Sequence, residues 1–131
     1  MSETTSSQTV YEAIGGESGV RALVDRFYDQ MDRDPSMRIL RDLHPADLVE
    51  SREKLWWFLS GWLGGPPLYM QRKGHPRLRA RHLPFAIDGV ARDQWMACMR
   101  AALAEASLEA PLRERLDDAL FKLADHMVNR G

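Results

Sequence analysis

A single cysteine, Cys98, in 131 residues excludes an internal disulfide and suits a reducing cytoplasm. Its neighbours are apolar helix positions, so it reads as a small buried hydrophobe. Charge of one sign is also lacking. With 18 Lys and Arg against 19 Asp and Glu, the formal charge is −1, which gives nucleic acid or an anionic membrane no electrostatic hold as a main partner. No apolar run approaches the length that crosses a bilayer, and the first residues have neither the basic start nor the apolar core of a signal peptide, so a soluble protein is expected. Sustained period-two alternation rich in β-branched residues is missing as well, which leaves an all-α domain. No internal repeat is present. Residues 1–9, mostly Ser, Thr, Glu and Gln, read as a disordered lead-in to one domain over 10–131.

What is present is helical periodicity. Val20, Leu23, Val24, Phe27, Tyr28 and Met31 form one stripe, bounded by Gly15-Gly16 before and Asp34-Pro35 after. A one-turn helix over Val10–Ile14 precedes it, and a short one over Pro35–Leu40 follows. Asp47 is placed to cap a helix carrying Leu48, Ser51, Leu55, Leu59 and Trp62, widened by Trp56, Trp57 and Phe58, which Gly64-Gly65-Pro66-Pro67 stops. Residues 64–75 then read as a loop. Asp88 caps a helix whose Trp95, Cys98, Met99, Ala102, Leu103 and Ala106 share a face, and Pro111 opens the last helix, with Leu112, Leu116, Leu120, Leu123, Met127 and Val128.

Function concentrates in Gly74–Phe85, which holds two imidazoles, three guanidiniums and two prolines. If a short helix begins at Pro76, Leu78 and His82 are four apart on one face with Phe85 just beyond, while Arg77 and Arg81 make a second, cationic face. Pro84 ends that helix and pushes Leu83 out of the helical region. An imidazole with hydrocarbon on one side and cations on the other suits a large, flat, apolar ligand that carries carboxylates and a metal; haem fits that description. A core histidine hydrogen-bonded to a carbonyl is the plainer alternative. Zinc is disfavoured, since His75 and His82 are seven apart and no second ligand pair has zinc spacing.

These residues resemble a known family. Tyr11–Gly16, Arg26-Phe27-Tyr28, Trp62-Leu63-Gly64-Gly65-Pro66, Gly74–Phe85 and Arg92-Asp93-Gln94-Trp95 together look like a truncated haemoglobin of the second, O-type group, over roughly Tyr11 to Val128. The resemblance implies a truncated globin fold, a two-over-two helical sandwich around one non-covalent haem b, with His82 as proximal iron ligand and His75 in a structural or rim role. No Cys-x-x-Cys-His exists for covalent attachment. By the same matching Tyr28 and Trp95 are distal hydrogen-bond donors. His44 stands at a turn position that is often Phe or Tyr in relatives, and Ser51 where many globins place a distal histidine. Leu55, Phe85, Ile87 and Met99 would line the pocket, and Lys54, Tyr69, Arg77 and Arg81 would reach the propionates.

The expected function is binding of oxygen and other diatomic gases, for storage or sensing, with donors from Trp95, Tyr28 and His44 slowing release. A haem-dependent redox activity, peroxidase-like or a nitric oxide dioxygenase served by a reductase, is the alternative. A cofactor-free all-α module whose arginine-rich loop docks an acidic partner is the reading from another class.

Overall fold

The computed structural model describes residues 8–130; positions 1–7 of the expected lead-in lie outside the described residues. Helix α1 (Val10–Ile14) opens on Thr9, whose hydroxyl accepts from the Glu12 amide at 3.1 Å while Glu12 Oε1 accepts from the Thr9 amide at 2.9 Å. This reciprocal pair satisfies two otherwise orphaned donors. Gly15, at φ +115°, turns the chain into α2 (Gly16–Arg33), and the six stripe residues from Val20 to Met31 are all buried.

A 3₁₀ turn over Pro35–Met37 leads into α3 (Arg38–Arg41), and α4 follows over Val49–Trp62. Asp47 Oδ1 accepts from the Val49 amide at 2.9 Å, so the capping side chain stands one residue before the formal cap, Leu48. The segment expected to be loop throughout 64–75 instead contains α5 (Leu68–Lys73). Pro66 and Pro67 stop α4 but do not prevent a new start, because proline has no penalty where the amide would lack a partner anyway; the buried Tyr69 then gives the new turn something to pack.

Helix α6 spans Leu78–His82, later than the expected start at Pro76: Arg77, at φ +47° and ψ +52°, is its left-handed N-cap. Its end also differs in detail. Leu83 keeps right-handed helical angles, φ −57° and ψ −35°, so Pro84 stops the helix by lacking a donor, not by displacing its neighbour. Helix α7 (Gly89–Ala104) is capped by Asp88, whose Oδ1 accepts from Ala91 at 2.9 Å, and α8 (Ala110–His126) carries Pro111 in its first turn.

Among the described residues there is no strand. Helix α2 packs on α4 and α7, and α7 packs on α8, which makes the two-over-two sandwich. Arg52 locks the first pair, reaching Asp25 at 3.1 Å and Asp29 at 2.8 Å across the α2–α4 contact. The glycine pair and the first helix interlock: the Tyr11 amide donates to Leu63 C=O at 2.9 Å, and a Cβ on Gly65 would fall 2.5 Å from the Tyr11 ring. Only glycine admits that approach. Cys98 is fully buried in the core, which pushes its thiol up to about 11. No described helix is long and apolar enough to cross a membrane.

Candidate functional site

Packing α2, α4 and α7 together leaves a cavity of about 960 Å³ that α6 and the last turn of α8 help to enclose. Its wall gathers Tyr28, His44, Ser51, Leu55, Tyr69, Arg81, His82, Phe85, Ile87 and Trp95, residues spread over nearly seventy positions of the chain. Leu40, Leu43, Val49, Phe58, Leu78 and Met127 are among the further apolar residues that line it.

His82 ends α6 half-buried. Its Nδ1 lies 2.6 Å from the Leu78 carbonyl, an acceptor only, so Nδ1 carries the proton and donates. With that proton on Nδ1, Nε2 is the ring nitrogen left to meet a metal, and it has no hydrogen-bond partner among the described residues. A carbonyl-bound histidine was the plainer alternative; the same bond prepares the ring for a metal, because metal-ligating histidines characteristically donate their other N–H in this way.

Tyr28 and Trp95 come from the two best-packed helices. The Phe27 ring meets Tyr28 edge-on at 4.9 Å and Trp95 at 5.3 Å, so one buried aromatic braces both. Burial drives the Tyr28 phenol well above its ordinary range, against a smaller opposite pull from Arg52. It stays protonated and is a donor at any physiological pH.

His44 departs from expectation. Its Nδ1 faces the Leu40 carbonyl at 3.0 Å and must donate there, while burial, against the opposite pull of that bond and with a smaller push from the Arg41 cation, lowers its pKa and keeps the ring neutral. Nε2 is then an acceptor, so the expected third donor is corrected to an acceptor beside Tyr28, whose ring centroid is 5.8 Å away. The turn is pinned from both sides. Arg41 donates to the Pro45 and Ala46 carbonyls, each at 2.9 Å, and Gln94 Oε1 accepts from the Leu40 amide at 2.9 Å.

The expected cationic rim is only partly assembled. Arg81 lines the cavity, its guanidinium 5.9 Å from the buried Tyr69 ring. Lys54 lines it too but is ion-paired with Glu50 at 2.9 Å. Arg77 does not line it: the left-handed backbone at that residue takes it off the face it would share with Arg81. Met99 is likewise no lining residue. One turn beyond Trp95, it is fully buried in the core of α7. His75 stays exposed at the loop end, its Nδ1 accepting from the Arg77 amide at 3.0 Å. Arg92, unanticipated at the wall, pairs with Asp125 at 2.7 Å and ties α7 to α8. No group of three or more His, Cys, Asp or Glu poised to hold a metal occurs among the described residues.

An all-helical sandwich with His82 at the wall of a large, mostly apolar cavity, facing space shared with Tyr28, Trp95 and a second histidine, His44, defines a globin-type site. The chain belongs to the bacterial-like globin family, whose model matches residues 9–129. It is 46% identical over 120 residues to the group 2 truncated hemoglobin YjbI of Bacillus subtilis (strain 168), covering 92% of this chain and 88% of that one. Its fold is similar to the cold-adapted truncated hemoglobin of the Antarctic marine bacterium Pseudoalteromonas haloplanktis TAC125, with a TM-score of 0.92 and 47% identity over 95% of this chain and 100% of the other. It is also similar to the truncated oxygen-avid haemoglobin from Bacillus subtilis, with a TM-score of 0.83 and 44% identity over 93% and 100%. Membership of this family implies a haem cofactor.

Proposed function

We propose that the cavity holds a haem b without covalent attachment and that the protein binds oxygen and related diatomic gases. The observation that carries this reading is the His82 ring: a proton fixed on Nδ1 by Leu78, and Nε2 left free at the wall of a cavity of about 960 Å³. The size lies at the upper end of small-molecule pockets, about 300–1,000 Å³, and the lining suits a flat macrocycle. Phe85 and Val49 are 45% and 61% exposed at the wall, apolar surface that such a ligand would cover.

His82 would ligate the iron, with Leu55, Phe58, Phe85 and Ile87 against the ring and Arg81, Tyr69 and Lys54 toward the propionates. When bound, the haem would supply an iron able to take up a small gas. Tyr28 and Trp95, on the part of the wall built by α2 and α7, offer a hydroxyl and an indole N–H to a ligand that gains negative charge. His44 Nε2 accepts, so it orients the Tyr28 hydroxyl or a water and does not itself donate. Each donor contributes on the order of 1 kcal/mol, roughly fivefold in dissociation rate, which favours retention or sensing over bulk delivery. A cofactor-free docking module has no use for this cavity, and family membership argues against it.

Titration of purified apoprotein with hemin, followed by spectra of the ferric, ferrous and carbon monoxide forms, tests the reading. One equivalent bound, with a ferrous spectrum of single-histidine ligation and a carbon monoxide adduct, is expected. A protein indifferent to hemin ends it.

A further inference from the structure

We infer that the end of the chain is a positioning device for His82, with Asn129 as its central residue; the inference rests on the reading of His82 as axial ligand. Helix α6 has no buried residue, and Leu83 to Ala86 after it are exposed. Packing alone therefore leaves the ring's backbone loosely held. Hydrogen bonds from residues 126–130 supply what packing does not.

Asn129, half-buried two residues past the C-cap of α8, spans the turn that follows the histidine. Its Nδ2 donates to the His82 carbonyl at 3.2 Å, and its Oδ1 accepts from the Ile87 amide at 3.0 Å. The amides of Asn129 and Arg130 donate to the Ile87 carbonyl at 2.8 and 3.0 Å. From inside α6, Arg79 Nη1 donates to the carbonyls of His126 at 2.6 Å and Val128 at 3.1 Å. Points before, at and after the imidazole are thus tied to one short terminal segment.

The residue type follows from the geometry. A carboxamide presents a donor and an acceptor in one rigid plane, so a single side chain closes both ends of the 82–87 turn; Asp loses the donor and Leu loses both. By fixing the His82 carbonyl and the Ile87 amide, the clamp sets the rotation and depth of the ring at the cavity wall, the part outer partners play for metal-bound histidines. Asn129 does not line the cavity. It acts through His82.

The test uses the full chain reconstituted with hemin, comparing Asn129→Leu and the milder Asn129→Asp with the parent. Both are expected to bind one equivalent, to show an iron–histidine stretching band shifted or broadened in the resonance Raman spectrum of the ferrous form, and to lose hemin about fivefold faster to an apoprotein trap. Hydrogen exchange separates the two halves of the clamp: the Ile87 amide exchanges faster in Asn129→Leu and stays protected in Asn129→Asp, which keeps the acceptor. An unchanged band and an unchanged rate of hemin loss in both variants, even with a lowered melting temperature, overturn the proposal, because that is what a merely stabilising contact predicts. A band that survives in His82→Gly overturns the ligand assignment, and the clamp with it, whereas normal loss of the band in His82→Gly with none of the Asn129 effects sinks the clamp alone.

Discussion

The two sides of the cavity are built by different physics. Tyr28 and Trp95 hang from α2 and α7, helices with six buried residues each, and share the fully buried Phe27 as a brace. His82 sits on a five-residue helix with none. One side is positioned by close packing, which tolerates no slack. The other is positioned by hydrogen bonds to Leu78, Asn129 and the terminal carbonyls, which cost little area and leave the histidine at a half-exposed edge where a large ligand has room to enter. The contrast teaches that a core and a loop meet here around one cavity, and that substitutions on the two sides will be felt in different measurements.

The comparison breaks first at Phe27. Phe27→Ala opens a cavity under both donors and lowers unfolding free energy by about 3–5 kcal/mol, read by urea denaturation, whereas Leu83→Ala beside the histidine changes it by less than about 0.5 kcal/mol. Similar losses for the two would erase the distinction. His82→Ala reverses the ranking: hemin affinity falls by more than about 100-fold with little change in the apoprotein's urea midpoint, since α6 contributes no buried residue.

High pH probes the packed side alone. The Cys98 thiol is raised by burial from 9.0 to about 11, so between those values the unfolded chain gives up a proton that the native one keeps, and stability present below pH 9 declines as pH rises through 11. The loss, complete above pH 11, is roughly 3 kcal/mol. Tyr28, raised by the same cause, adds in the same direction from its unfolded value of 10.0 upward. Unfolding curves from pH 8 to 11 check this, and Cys98→Ala removes the part of the slope due to the thiol. The smallest effect is functional: Trp95→Phe removes one donor and speeds oxygen release about fivefold by stopped-flow, with spectra and stability nearly unaltered. An unchanged rate would strip the indole of its assigned role.

How far the chain could be read depended on whether a feature was local. The stripe in α2, the Asp88 cap and Pro111 near the start of α8 are set by neighbours three or four residues away, so periodicity and turn chemistry located them. Helix α5 escaped because Gly and Pro dominate its flanks and only Tyr69 supplies a buried anchor. Arg77 and Arg81 looked paired on helical spacing, yet a single left-handed residue separates them. Met99 shares a helical face with Trp95, but which residue of that face meets a cavity depends on where α4 and α6 lie. Asn129 offered no signal at all. A lone polar residue after a helix acquires meaning only when Ile87 and His82 are brought against it.

Amino-acid order alone therefore determined an all-helical chain, the limits of α2 and the starts of α7 and α8, the apolar stripes and the histidine placed between hydrocarbon and cations, because each of these follows from spacing along a helix or from backbone chemistry at Gly, Pro and Asp. Tertiary structure decided the rest: that His44 accepts and does not donate, that Arg79 reaches the carbonyls of His126 and Val128, and that the terminal segment holds the turn after His82. Those properties belong to partners forty or fifty positions apart, or to the tautomer a carbonyl imposes on a ring, and such relations exist only once the chain has closed on itself.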